Sequence, residues 1–152
     1  MTYLDTSVLL AHLLDEERQP PAALWEGPVV SSRLAEYEVW TCVHREGLGA
    51  SHGDVTRALL GRLAFVELTP TILARALEPF PHPVRTLDAL HLASIEFLRS
   101  KHQPVRLATY DDRQRVAAVH LGIDLFPLLP ASGGAAQRHR APRRSRPRRH
   151  RP

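Results

Sequence analysis

A chain of 152 residues with 20 basic and 16 acidic side chains and an apolar fraction of 43% has the size of one domain around one ordinary core. Its single cysteine, Cys42, excludes an internal disulfide, and no apolar run approaches the roughly 20 residues of a membrane span. The charge is unevenly placed: eight arginines and no acid lie between Ala131 and Pro152, which leaves residues 1–130 with a formal charge of −4.

In chain order, Tyr3-Leu4 reads as a short buried strand ended by Asp5, with Thr6 and Ser7 opening a dense apolar helix through Leu14. Asp15 to Gln19 is polar, and Pro20-Pro21 introduces a short helix through Leu24 and Trp25 that Gly27-Pro28 breaks. Val29-Val30 is the second strand, with Ser31 and Ser32 as cap candidates for a helix from Arg33 to Glu46. Gly47 and Gly49 stop that helix, and another runs from Ser51 to Arg62. Phe65 to Leu68 is a strand closed by Thr69-Pro70, followed by a helix over 71–77 and a proline-rich turn. Thr86 is expected to cap the clearest helix, buried through Leu87, Leu90, Ala93, Ile95, Phe97 and Leu98. Val105 to Thr109, a helix from about Arg113 to Leu121, and a last strand over 123–126 complete the pattern.

Short apolar strands alternating with helices predict an α/β fold: a central parallel sheet with helices on both faces. The expected domain is 1–130. From 131 to 152 the chain has glycines, prolines and arginines and almost nothing apolar, a composition that predicts a basic, disordered tail. With no basic-apolar leader at the start and one cysteine, the expected location is the cytoplasm and the expected protein soluble.

The chemistry lies in carboxylates. Asp5 follows the first strand directly, where an ionised acid at the core's edge needs a partner. Asp111 follows the 105–109 strand, and Asp88 lies in the first turn of a helix, where the dipole favours an anion. If the two strands are parallel neighbours, the three acids share one edge, the place where open α/β sheets form their ligand crevice. The helix after strand two offers Glu36 and Glu38. They point about 200° apart, and both share a face with apolar residues, so helical geometry alone selects neither.

Four segments carry a resemblance: Tyr3-Leu4-Asp5-Thr6-Ser7; Ser32-Arg33-Leu34 followed by Glu38; Leu87-Asp88-Ala89-Leu90-His91-Leu92-Ala93; and Thr109-Tyr110-Asp111. In that order they resemble the PIN-domain ribonucleases of the VapC toxin type across nearly all of residues 1–130. The resemblance implies a PIN-like three-layer sandwich and an acidic site of Asp5, Glu38, Asp88 and Asp111, with Glu38 preferred to Glu36. It implies that these four acids serve as metal ligands and in catalysis, with Thr6 and Thr109 orienting carboxylates. It also implies a toxin of a toxin–antitoxin pair that cleaves RNA and leaves a 5′-phosphate, a cognate antitoxin as partner, and a homodimer. Hard oxygen ligands select Mg²⁺ or Mn²⁺. The alternative is a non-catalytic RNA-binding or regulatory protein. A phospho-acceptor receiver domain is disfavoured because the one lysine, Lys101, lies at a helix end.

Nine histidines include no His-Glu-x-x-His or paired Cys/His spacing, which argues against a zinc site. His91, three residues after Asp88, is expected to pack or hydrogen-bond within the fold. Cys42 is expected in the core, and Trp25, Trp40 and Tyr37 in the core or an interface.

Overall fold

Tyr3 and Leu4 are neighbours on one strand, face opposite sides of the sheet and are both fully buried. That alternation divides the core in two. Leu4 packs with Val8, Leu9, Ala35, Val39, Val43 and Leu59 on one face. Tyr3 packs with Leu92, Ile95, Leu107, Ala117 and Ala118 on the other. The computed structural model describes residues 1–128. The expected boundary at 130 and the expected tail, 131–152, lie outside the described residues.

Five strands form one sheet: β1 (Thr2–Leu4), β2 (Val29–Ser32), β3 (Ala64–Val66), β4 (Arg106–Ala108) and β5 (Asp124–Leu125). Their spatial order is β3-β2-β1-β4-β5, and every pairing is parallel. Six helices cover the faces: α1 (Thr6–Leu13), α2 (Arg33–Arg45), α3 (Gly49–Leu60), α4 (Pro70–Leu77), α5 (Thr86–Ser100) and α6 (Asp112–His120). A 3₁₀ turn spans Ala22–Trp25. This is the expected α/β sandwich, with β1 in the middle and helices on both faces. No helix among the described residues is long and apolar enough to cross a membrane.

The helix starts follow local chemistry. Asp5 caps α1 by accepting from Ser7 N, Thr69 caps α4 with Pro70 at the first helical position, and Asp111 caps α6 by accepting from Arg113 N and Gln114 N. Gly47, at φ +70°, ends α2 in the left-handed region that favours glycine.

Several local expectations are corrected. Gly49 begins α3 instead of merely stopping α2, and Thr86 is the first residue of α5, with Arg85 in the cap position and no side-chain cap bond. Ser31 and Ser32 belong to β2 and are fully buried; Ser32 holds the expected cap position of α2, but its side chain makes no cap bond. Their hydroxyls satisfy partners inside the sheet layers: Ser31 Oγ donates to Leu4 O at 2.7 Å, and Ser32 Oγ meets His91. Tyr37 is 68% exposed, so it is no core residue. Leu24 is buried, whereas its neighbour Trp25 is only partly covered, with Arg62 over its ring.

Candidate active site

β1 and β4 run side by side, and the Asp5 N–H extends their ladder by donating to Ala108 O at 3.0 Å. The chain leaves both strands at the same edge, which brings Asp5 and the Thr109-Tyr110-Asp111 turn together. Asp5 is buried, and its two oxygens differ. Oδ2 accepts from Ser7 N at 3.1 Å, Ser7 Oγ at 2.5 Å and Thr109 Oγ1 at 3.1 Å. Oδ1 accepts from no donor among the described residues; His91 Nε2 lies 4.0 Å from it.

Glu38 repeats the pattern from α2. Its Oε2 accepts from Thr6 Oγ1 at 2.5 Å and faces His91 Nε2 at 2.9 Å, while Oε1 has no protein donor among the described residues. Neither Asp5 Oδ1 nor Glu38 Oε1 is among the buried polar atoms that lack a partner, so both reach solvent. Burial works against a charged Glu38, but the hydrogen bond and the charge of His91, with the Thr6 hydroxyl, hold its carboxyl below the usual glutamate range. Glu36 does not join the site. Arg33 holds it at 3.0 Å and holds Glu67 at 2.7 Å, on the other side of the helix.

Asp88 approaches from the first turn of α5 and Asp111 from the start of α6. Burial, then the charges of Asp111 and Asp5, raise the Asp88 carboxyl above the usual aspartate range, against the pull of the Arg85 amide and guanidinium. Asp88 therefore shares an electrostatic environment with both other aspartates. Asp111 spends Oδ1 on the α6 cap, and its N–H donates to Thr109 Oγ1 at 3.0 Å. Thr109 thus ties Asp5 and Asp111 together through one hydroxyl. Asp112, next to Asp111 in the chain, is exposed and pairs with Arg115 at 2.8 Å. Lys101 caps the far end of α5 from Asp88.

The donor set fits a hard divalent cation. Among the described residues no three His, Cys, Asp or Glu side chains converge into a ready-made cage. Mg²⁺ needs none, because it binds through one or two carboxylates and keeps several waters. Asp5 and Glu38 each offer a solvent-facing oxygen whose sister atom is fixed by protein donors, the arrangement that orients metal-binding carboxylates.

Three contributors escaped the sequence reading: Ser7, Tyr3 and the hydroxyl of Ser32. Ser7 spans the edge, its hydroxyl donating to Asp5 while it accepts from Tyr110 N at 3.0 Å. Tyr3, Ser32 and His91 form a buried group behind Glu38. The spacing of His91 from Asp88 placed it near that face, but no local signal pointed to Tyr3 or Ser32, whose partners lie 88 and 59 residues away.

A parallel sheet whose neighbouring strands β1 and β4 lead into Asp5 and the turn to Asp111, with Glu38 and Asp88 on helices α2 and α5, defines an α/β domain with an acidic edge. The PIN domain family model matches residues 2–119, and the chain belongs to that family. It is similar to ribonuclease VapC46 of Mycobacterium tuberculosis, 34% identical over 124 residues covering 80% of this chain and 92% of the relative. Ribonuclease VapC35 of that organism is 32% identical, covering 81% of this chain and 93% of its own length. Ribonuclease VapC47 is 30% identical over 146 residues, 90% of this chain and all of the relative.

Proposed function

We propose that this chain is a divalent-metal-dependent endoribonuclease that hydrolyses RNA phosphodiester bonds and serves as the toxin of a toxin–antitoxin pair. One observation carries the chemistry. Asp5 and Glu38 each keep one oxygen held by protein donors and leave the other without a donor among the described residues. The names of the similar ribonucleases support RNA as the substrate.

In this reading Asp5, Glu38, Asp88 and Asp111 hold Mg²⁺ or Mn²⁺. Such a cation supplies a more acidic water and charge neutralisation at the phosphate oxygens. The chain's own residues do the positioning. Ser7 and Thr109 fix the plane of the Asp5 carboxylate, and Thr6 and His91 fix that of Glu38. Oε1 of Glu38, without a protein donor among the described residues while Oε2 takes those bonds, is the oxygen that would meet the cation without reorganisation. The Asp88 carboxyl, raised by burial and by the charges of Asp111 and Asp5, gains when positive charge enters the edge.

The same reading supplies partners. A cognate antitoxin would set an arginine against the acidic edge, since a guanidinium pairs bidentately with carboxylate. Partly exposed Leu13, Leu14 and Trp25 offer it apolar surface; Leu24, being buried, does not. A homodimer would cover Leu77, 87% exposed, and Leu73 beside the α4–α5 groove. The deciding experiment incubates purified protein with mixed RNA, with Mg²⁺ or with a chelator. Cleavage with Mg²⁺ that stops in chelator is expected; RNA binding without cleavage would favour a regulatory protein instead.

A further inference from the structure

Behind Glu38 lies a group of side chains with no counterpart on the other acids. His91 is 1% exposed and uses both ring nitrogens. Nε2 meets Glu38 Oε2 at 2.9 Å, and Nδ1 meets Tyr3 Oη at 2.8 Å and Ser32 Oγ at 3.2 Å. Tyr3 is fully buried, and its oxygen accepts the backbone N–H of Ser32 at 3.0 Å. Its ring meets the imidazole edge-on, at 81° and 5.8 Å between centroids. Three elements, β1, β2 and α5, thus converge on one imidazole that reaches a fourth, α2.

The Glu38 carboxylate can only accept, so Nε2 carries a hydrogen whether the ring is neutral or charged. The Tyr3 oxygen already accepts from the main chain, so its own hydrogen is free to point at Nδ1. A neutral imidazole accepting there must carry its proton on Nε2, and an imidazolium carries one there as well. In both states Nε2–H donates to Glu38 Oε2. Together with Thr6 it pins that oxygen and turns Oε1 outward.

We propose that Tyr3, His91 and Ser32 form a buried positioning relay that holds Glu38 in place and selects which of its oxygens meets the ligand. The relay rests on the assignment of Glu38 to the acidic site. It gives His91 a purpose beyond packing, and makes a tyrosine of the central strand part of the site's support without touching substrate.

The test uses the full chain, with Mn²⁺ binding measured by titration calorimetry and RNA cleavage measured separately. Tyr3→Phe removes one hydroxyl and keeps the ring. It should weaken Mn²⁺ binding and lower kcat by about tenfold each, with KM for RNA unchanged, as loss of support behind a metal ligand does. Combined with Glu38→Gln, it should add no further loss, because both changes disable the same side chain. Ser32→Ala, which leaves the main-chain bond to Tyr3, should give a smaller loss of the same kind and serves if Tyr3→Phe does not fold. Wild-type Mn²⁺ affinity in the folded variants, or losses that add to those of Glu38→Gln, would overturn the relay. A wild-type chain that binds Mn²⁺ but cleaves no RNA would defeat the nuclease reading alone, with the relay decided by the Mn²⁺ titrations. A wild-type chain that binds no Mn²⁺ would overturn both.

Discussion

Thr109 reaches Asp5 across 104 residues of sequence, its hydroxyl donating to Oδ2 at 3.1 Å while accepting the N–H of Asp111. One side chain sets the distance between two of the four acids. Thr109→Val keeps the shape and removes the hydroxyl. Cleavage should fall about tenfold while the circular-dichroism spectrum stays that of the wild type; unchanged kcat would show that Ser7 alone is enough to fix Asp5.

Asp5→Asn, Asp88→Asn and Asp111→Asn should each lower Mg²⁺-dependent cleavage by about 100-fold or more, the scale of losing a ligand that stabilises transition-state charge. Glu38→Gln should be similarly damaging. Glu36→Gln should be mild, because Glu36 is occupied with Arg33 away from the edge. Gel assays of RNA cleavage check all five, and a severe Glu36 variant beside a mild Glu38 variant would move the site across the helix.

Asp88 makes a stability prediction of definite sign. Its carboxyl is raised in the folded state, so its favourable contribution exists below the ordinary aspartate value of 3.8 and is lost as pH rises through the raised value. At neutral pH the crowded charge therefore works against folding. In chelator at pH 7, Asp88→Asn should melt higher than wild type, and the gap should close as the pH falls to about 3.8. Added Mn²⁺ should raise the wild-type midpoint and leave the variant's nearly unchanged. Calorimetric melts across pH decide it; an Asp88→Asn protein that melts lower at pH 7 would contradict the crowding.

The His91–Glu38 pair has the opposite dependence at each limb. Burial opposes the imidazolium, but the Tyr3 oxygen and the Glu38 and Asp5 carboxylates outweigh it and push His91 up to about 10. Its contribution is complete below 6.5 and is lost as pH rises towards about 10. Glu38 is lowered, so its contribution is present above 4.5 and lost as pH falls through the lowered value. Removing the ring in His91→Leu should therefore cost most between 4.5 and 6.5, about 1–3 kcal/mol for a buried partner left unmet. Urea melts at pH 5.5 and pH 9.5 test this: a larger cost at the alkaline end would refute the charge pairing.

A chain ending at Pro130 should keep the melting midpoint and Mn²⁺ affinity of the full chain, since the sequence from 131 to 152 offers almost nothing apolar to bury. If the arginine-rich segment contacts RNA, its removal should also flatten the salt dependence of binding. A lower midpoint would show that the segment contributes to the fold.

The sheet and its acidic edge were legible because their signals are local. Asp5 directly follows two apolar residues, Asp111 follows another strand, and strand-helix alternation leaves few topologies in which they do not meet. The choice between Glu36 and Glu38 was not local. Both share faces with apolar residues, and what separates them is Arg33 reaching Glu67, 34 residues on. The serines of β2 were legible in part: Ser32 does hold the cap position of α2, but the depth of β2 in the sheet turns its hydroxyl towards His91 instead of the helix. Helix starts slipped by a residue or two, where Arg85 rather than Thr86 holds the cap position of α5.

The spatial order β3-β2-β1-β4-β5 puts the first strand synthesised at the centre of the sheet. Asp5 leaves the ribosome early, but its β4 neighbour, its Thr109 donor and its Asp111 companion come more than 100 residues later. A nascent chain that stops before β4 leaves one edge of β1 unpaired and Asp5 short of a donor. On the nuclease reading, no complete active centre exists until β4 and the Thr109-Tyr110-Asp111 turn have been made. A fragment that stops before β4 would lack Asp111 and the Thr109 hydroxyl that holds Asp5.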